Sequence, residues 1–155
     1  MTGRSTHHAT FIIDRRYDAA PARVFSAWAT PEAKASWFKG PPDKCTELRR
    51  EFDFRVGGRE HLSGRWDSGK TSQFDATYLD IIPEHRIIYS YDMHMNGAHI
   101  SVSLATVEFK PDGKGTRLLF TEQAVMLDDF RDPGARGREE GTRGLLDRLA
   151  EVLQG

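Results

Sequence analysis

Short turns interrupt the sequence at regular intervals between residues 51 and 126, and they constrain the fold more than any other feature. They separate six segments in which large apolar residues alternate with polar ones: 51–56, 59–66, 73–82, 86–94, 99–110 and 116–126. Such alternation is typical of strands with one buried face. Parallel strands need a crossover of about a dozen residues or more, and these connections are far shorter. The sequence therefore predicts an antiparallel meander.

One further strand and two short helices are predicted before the meander. Residues 9–17 alternate around Phe11 and Ile13, which predicts the first strand. Pro21 and Pro31 each stand where a helix is predicted to begin, and the fixed φ of proline suits the first helical position. The second helix is expected to end before the Gly-Pro-Pro sequence at 40–42.

A long amphipathic helix is predicted over residues 138–153, after a polar connector at 127–137. Its apolar stripe is formed by Leu145, Leu146, Leu149, Val152 and Leu153. An antiparallel sheet with one apolar face must cover that face, and only this helix is long enough. A seven-stranded sheet is wider than one helix of about 10 Å diameter, so the sheet must curl around the helix. The prediction is a single α+β domain over residues 1–155, with a cavity at the open end of the sheet.

Composition excludes several classes of protein. The chain has 22 Lys+Arg against 23 Asp+Glu, a formal net charge of −1, so no cationic surface for nucleic acid is expected. No apolar run is long enough to span a membrane. Cys45 is the only cysteine, which excludes an intrachain disulfide. The first residues lack an apolar signal segment, so a cytoplasmic location is expected.

No cofactor and no metal are expected either. The sequence contains neither a phosphate-binding loop nor a dinucleotide fingerprint. His94 and His99 flank the predicted Asn96-Gly97 hairpin turn, but no further residue at ligand spacing completes a metal site.

Glu122 is the first candidate for a functional polar group. It shares a face of the last strand with Leu118 and Phe120. If that face is concave, Glu122 is a carboxylate at the edge of an apolar cavity, and burial would raise its pKa toward acid–base work. The alternative is a glutamate at the rim, paired with an arginine such as Arg65 or Arg143. Both interpretations stay open at this point.

His99, Ser101 and Ser103 are the second group of candidates. Alternation places them on one face of a strand together with Val107 and Phe109. In a cavity, a histidine beside hydroxyl groups can orient a polar ligand or transfer a proton. The alternative is that this end of the strand presents the same residues to solvent.

The predicted lining of the cavity adds large side chains and one helix glycine to these polar groups. Tyr91, Met93 and Met126 lie at strand ends near polar connectors, where a cavity opens. Gly141 stands one turn before Leu145. It either leaves room for a ligand or for a close backbone contact, or belongs to a loose helix start without a function. The predicted ligand-binding residues are Trp37, Phe38, Trp66, Phe74, Tyr91, Met93, Ser101, Ser103, Phe120, Glu122, Met126, Phe130, Gly141 and Leu145.

An ordered set of short motifs resembles a known superfamily. The set comprises Ala20-Pro21-Ala22-Arg23-Val24-Phe25 followed by Trp37-Phe38, then residues 54–59, 82–91, 115–118, 121–123 and 138–147. In this order, over nearly the whole chain, they are similar to the START/SRPBCC superfamily of helix-grip proteins. Within it they resemble the bacterial group related to the activator of Hsp90 ATPase. The resemblance implies a curled seven-stranded antiparallel sheet around a long C-terminal helix, with two short helices after the first strand.

The resemblance is less specific for function, because the superfamily includes lipid carriers, hormone receptors, aromatase/cyclases and chaperone activators. We expect a non-catalytic protein that binds a small hydrophobic or amphipathic ligand, aromatic molecules included. The alternative is a cavity enzyme of the cyclase, lyase or hydrolase type that uses Glu122 with His99 or Tyr91. A second alternative is a partner of a chaperone ATPase, which the balanced charge does not favour. Monomer and homodimer both stay open.

Overall fold

The computed structural model describes residues 4–131 and 134–154, which form one antiparallel sheet with three helices. The strands are β1 (Thr6–Tyr17), β2 (Cys45–Phe52), β3 (Arg59–Trp66), β4 (Thr71–Ile82), β5 (Arg86–Met95), β6 (Ala98–Asp112) and β7 (Gly115–Leu127). The helices are α1 (Pro21–Ala29), α2 (Pro31–Trp37) and α3 (Gly134–Gln154), with a short 3-10 helix at Asp128–Arg131 before α3.

The sheet has the strand order β1-β7-β6-β5-β4-β3-β2, and every neighbouring pair is antiparallel. The predicted meander is therefore confirmed from β2 to β7. The first strand pairs with the last, so β1 and β2 form the two edges of the sheet. The segment between them contains α1 and α2 and crosses from one edge to the other over the concave face.

The register of the strands places the apolar residues of neighbouring strands side by side on that face. Ile13 pairs with Phe120, Phe120 with Val107, and Val107 with Ile87. All four side chains are buried. This row is the centre of the core, and it shows why the alternation in the sequence predicted the strands correctly.

Helix α3 lies against the concave face and completes the core. Leu146 and Leu149 are buried, and Leu145 and Val152 pack partly buried beside them. The Tyr17 hydroxyl donates a hydrogen bond to the Leu146 carbonyl at 3.0 Å, which joins β1 to α3. The observed arrangement is the helix-grip fold. None of the described helices is long and apolar enough to cross a membrane.

Two predicted boundaries were wrong. Of the strand predicted at 51–56, only residues 51 and 52 are in a strand, and they are the end of β2 (Cys45–Phe52). Residues 53–58 form a turn instead, in which the Gly58 amide donates to the Arg55 carbonyl at 2.7 Å. The last helix begins at Gly134 rather than at residue 138. The early glycines disfavour a helix by local propensity, but tertiary packing outweighs that preference.

Candidate functional site

A cavity of about 450 Å³ lies between the concave face of the sheet and α3. Aromatic rings form most of its wall. Trp28 and Trp37 pack edge to face with ring centres 4.7 Å apart, and Phe38 and Phe74 do so at 5.0 Å. Tyr91 continues the wall, with its ring centre 4.9 Å from that of Phe74. Rigid aromatic walls of this kind suit a flat or compact apolar molecule.

The α3 side of the cavity combines glycines with larger side chains such as Leu145 and Arg138. Gly141 and Gly144 both line the cavity, and a Cβ atom added at either position would meet no heavy atom within 4 Å. These glycines therefore border open space rather than a close backbone contact. A larger side chain at either position would have room to extend, at the expense of the cavity.

Arg138 provides a polar corner in this apolar cavity. It lies in the first part of α3, and its side chain is 14% exposed. Its guanidinium donates to the Tyr91 hydroxyl at 3.0 Å, to Ser101 Oγ at 2.7 Å and to Glu122 Oε2 at 3.2 Å. Burial alone would lower the pKa of Arg138, but Tyr91 and Glu122 raise it, so the guanidinium stays charged.

Glu122 lies behind Arg138 and has no exposed surface. Its Oε2 atom accepts hydrogen bonds from the hydroxyls of Tyr91 and Ser103, both at 2.7 Å. Burial, more than any other cause, raises the pKa of Tyr91 above its usual value, so this hydroxyl remains a proton donor. Within the described residues, Glu122 Oε1 has no hydrogen-bond partner.

Nine of the predicted ligand-binding residues line the cavity. They are Trp37, Phe38, Trp66, Phe74, Tyr91, Met93, Phe120, Gly141 and Leu145. Ser101, Ser103 and Glu122 face the same interior but form the layer behind Arg138. Met126 is buried without lining the cavity, and Phe130 is 38% exposed on the 3-10 helix. A binding role for these residues stays a prediction.

His99 does not join this group: the structure supports the solvent-facing alternative for it, and its predicted grouping with Ser101 and Ser103 on one face was wrong. Its Nε2 atom lies 3.0 Å from a carboxylate oxygen of Asp92, and its ring stacks on His94 at 4.7 Å. Asp92 alternates with the buried Tyr91 and therefore belongs to the outer face of the sheet. The irregularity in register between Met93 and His94 breaks the alternation on which the prediction relied. Glu122 and His99 are therefore on opposite faces.

The predicted partners of Glu122 were also wrong, although an arginine does bind it. The partner is Arg138, whereas Arg143 forms an ion pair with Glu139 at 2.8 Å. The sequence contained a signal for Arg138, because it lies four residues before Thr142 and seven before Leu145. That helical spacing places it on the inward stripe of α3.

A second buried polar cluster was missed entirely. Lys34 on α2 and Glu60 on β3 are almost completely buried, and the lysine Nζ lies 2.9 Å from Glu60 Oε1. The Tyr78 hydroxyl donates to the same oxygen at 2.6 Å. Four aromatic rings surround the ammonium group, the nearest being Phe38 with its centre 4.5 Å away. No pattern in the sequence distinguishes this lysine from an exposed one.

Comparisons with known proteins agree with the fold and the motifs. The model of the family "Activator of Hsp90 ATPase homolog 1-like protein" matches residues 18–154. An uncharacterised protein from Rhizobium leguminosarum is 44% identical, with a TM-score of 0.92 over 99% of each chain. The Mll3558 protein from Rhizobium loti is 42% identical, with a TM-score of 0.87 over 96% of this chain and 99% of that one.

More distant structures share the fold alone. An AHSA1-like protein from Aeromonas hydrophila is 20% identical, with a TM-score of 0.71 over 94% of this chain and 92% of that one. No curated protein matches. The family match over residues 18–154, together with the two similar rhizobial structures, shows that this chain belongs to the family of activator of Hsp90 ATPase homolog 1-like proteins.

Proposed function

We propose that this protein binds one small, largely apolar molecule between its sheet and α3. The observation that carries the proposal is the cavity of about 450 Å³ with aromatic walls and glycines on the helix side. That volume lies within the range of about 300–1,000 Å³ that is usual for small-molecule sites. The aromatic rings supply apolar contact area, and the Arg138–Tyr91 corner supplies hydrogen bonds for one polar group of the ligand.

The arrangement favours binding over catalysis. An acid–base role requires a carboxylate that reaches the reacting atoms. Glu122 does not line the cavity, and its Oε2 atom is already bonded to Tyr91, Ser103 and Arg138. Of the two predicted catalytic partners of Glu122, His99 lies on the outer face, and the Tyr91 hydroxyl already donates its hydrogen bond to Glu122. The family description names an Hsp90 ATPase activator, but no geometry among the described residues favours a chaperone-binding role over the cavity.

The proposal is tested with N-phenyl-1-naphthylamine, a neutral dye that fluoresces in apolar surroundings. We expect saturable binding of one dye per chain and a rise in melting temperature with dye concentration. Gly144→Phe places a ring where the cavity now is and should abolish dye binding while the protein stays folded. Gly144→Ala is the matched control, because it makes the same helix-favouring change without filling the space.

Dye binding by the two variants and by the unmodified protein distinguishes three outcomes. Loss of dye binding in Gly144→Phe, with binding kept in Gly144→Ala, supports the cavity as the site. Equal binding to both variants would show that the dye binds elsewhere. Absence of saturable binding to the unmodified protein would contradict the proposal itself.

A further inference from the structure

We propose that the ligand is an organic anion, and that its charged group lies beside Lys39 and Arg148 while its apolar part occupies the aromatic cavity. This inference rests on the proposed function and adds the charge of the ligand and the position of its charged group.

The charges around the cavity are of one sign. Three cationic side chains line it, those of Lys39, Arg138 and Arg148, and no acidic residue of the described parts of the chain does so. Arg138 is compensated, because Glu122 lies directly behind it at 3.2 Å. Among the side chains that the structure describes, Lys39 and Arg148 have no carboxylate partner within ion-pair distance. The lining therefore carries two positive charges without an ion-pair partner in the described part of the chain.

Arg148 on α3 contacts the backbone just after the C-terminal end of α2, where Lys39 lies. The Arg148 guanidinium donates to the Trp37 carbonyl at 3.3 Å and also to the Lys39 carbonyl. These carbonyls are neutral acceptors, so they orient the guanidinium without cancelling its charge. A guanidinium has five N–H donors, and further donors remain for a ligand. The same contact places the Lys39 backbone beside the arginine, and both residues line the cavity.

This end of the cavity borders directly on apolar surface. Trp37 and Phe38 precede Lys39 in the chain, and both line the cavity. A molecule with an apolar body in the cavity therefore has its polar end within reach of the two cations. Hydrogen bonds from an arginine or lysine to a carboxylate are about twice as strong as those between neutral groups. An ammonium group at the same place would meet two like charges.

The two polar regions of the cavity differ in their net charge. At the Arg138 corner, an incoming anion would approach the buried Glu122 carboxylate, which opposes it. That corner suits a neutral hydroxyl or carbonyl. The Lys39–Arg148 end, with no acidic residue paired to it, suits the anion.

The test uses three naphthalene compounds of nearly the same shape that displace N-phenyl-1-naphthylamine: 1-naphthylacetate, 1-naphthylacetamide and 2-(1-naphthyl)ethylamine. We expect the acetate to bind about tenfold more tightly than the amide, and the amine to bind most weakly. The advantage of the acetate should shrink at about 1 M salt, where the screening length falls to roughly 3 Å. Equal affinity of acetate and amide, or tighter binding of the amine, would overturn the inference.

Variants locate the charged group. Lys39→Gln and Arg148→Gln should each reduce the ratio of acetate to amide affinity severalfold, because the lost charge weakens binding of the acetate more than binding of the amide. Lys44→Gln is the matched control, since it removes the same charge from an exposed residue of the same loop outside the lining. If Arg148→Gln does not fold, because Arg148 also holds two backbone carbonyls, Lys39→Gln alone decides the question. An unchanged ratio in Lys39→Gln would refute the placement.

The experiment distinguishes this inference from the proposed function. Tight binding of the neutral dye and of the amide, without any preference for the acetate, would leave the proposed function standing and end the inference. Absence of binding by the dye and by all three naphthalene compounds would contradict both.

Discussion

Two buried clusters in this protein use nearly the same chemistry in different surroundings. In one, a lysine and a tyrosine hydroxyl bind one oxygen of Glu60. In the other, an arginine and a tyrosine hydroxyl bind one oxygen of Glu122. In both, the second carboxylate oxygen has no hydrogen-bond partner among the described residues. The difference is that Arg138 lines the cavity, whereas aromatic rings separate Lys34 from it.

Under the proposed function, that difference separates a structural cluster from a ligand-binding one. The Lys34–Glu60 pair joins α2 to β3 and is closed off from small molecules, so its effect is on the stability of the fold. Burial lowers the pKa of Lys34, and Glu60 opposes that shift. The Arg138 cluster presents donors to the cavity, where a ligand or water can adjust to any change. Substitutions should therefore affect stability more in the first cluster and ligand binding more in the second.

The largest effect is expected for Lys34→Met. Removing one partner of a buried ion pair leaves the other charge without compensation, which typically costs about 3–5 kcal/mol of unfolding free energy. Urea unfolding measures the change. The double variant Lys34→Met with Glu60→Leu should recover most of the loss, because the unpaired carboxylate is then gone. A loss below about 1 kcal/mol for Lys34→Met would show that the pair is not buried as described.

A smaller loss of stability is expected for Arg138→Met, about 1–3 kcal/mol. Glu122 keeps its hydrogen bonds from Tyr91 and Ser103, and the cavity beside it can admit water. The same variant should weaken binding of polar ligands more than binding of N-phenyl-1-naphthylamine. Urea unfolding and dye titration on one preparation measure both quantities. If Arg138→Met destabilises the protein more than Lys34→Met does, the contrast between the clusters is wrong.

The smallest expected effect is the fall in unfolding free energy that each buried tyrosine causes at alkaline pH. Burial raises the pKa of Tyr78 and of Tyr91 above the usual tyrosine value of 10.0. Above pH 10 the unfolded chain loses tyrosine protons that the folded chain keeps, so the unfolded state becomes more favourable as pH rises. Each such tyrosine lowers stability by up to about 1.4 kcal/mol per pH unit. The pKa of Lys34 is lowered, so below the usual lysine value of 10.5 this residue makes the folded state more stable as the pH rises.

Tyr78→Phe and Tyr91→Phe test this dependence one cluster at a time. Each variant should show a shallower fall of unfolding free energy between pH 10 and 11 than the unmodified protein, measured by urea unfolding. Tyrosinate absorbance should appear only as the protein unfolds. Ionisation of Tyr91 in the folded protein near pH 10 would show that its hydroxyl is more accessible to solvent than the structure indicates.

The sequence predicted the fold well because its signals were local and repeated. Alternation and short turns determined the strands, and two prolines marked where α1 and α2 begin. The same alternation places Phe74, Tyr91 and Phe120 on the concave face, and a ligand-binding role for them stays a prediction. These predictions needed no knowledge of contacts between distant residues.

The polar part of the site could not be predicted in this way. Arg138 meets Glu122, and Lys34 meets Glu60, only because distant elements pack together. His99 was misplaced because one irregularity in register moves a residue to the other face of a sheet. Contacts between distant residues and β-bulges are hard to detect in a single sequence, whereas periodicity is easy to detect.

A crystal structure of the protein with N-phenyl-1-naphthylamine tests most directly whether the cavity is the binding site. We expect one dye per chain between Phe74 on the sheet and Gly144 on α3, with its rings against the aromatic wall. A dye bound instead on the outer face of the sheet, or a cavity filled by the protein's own side chains, would contradict binding in the cavity.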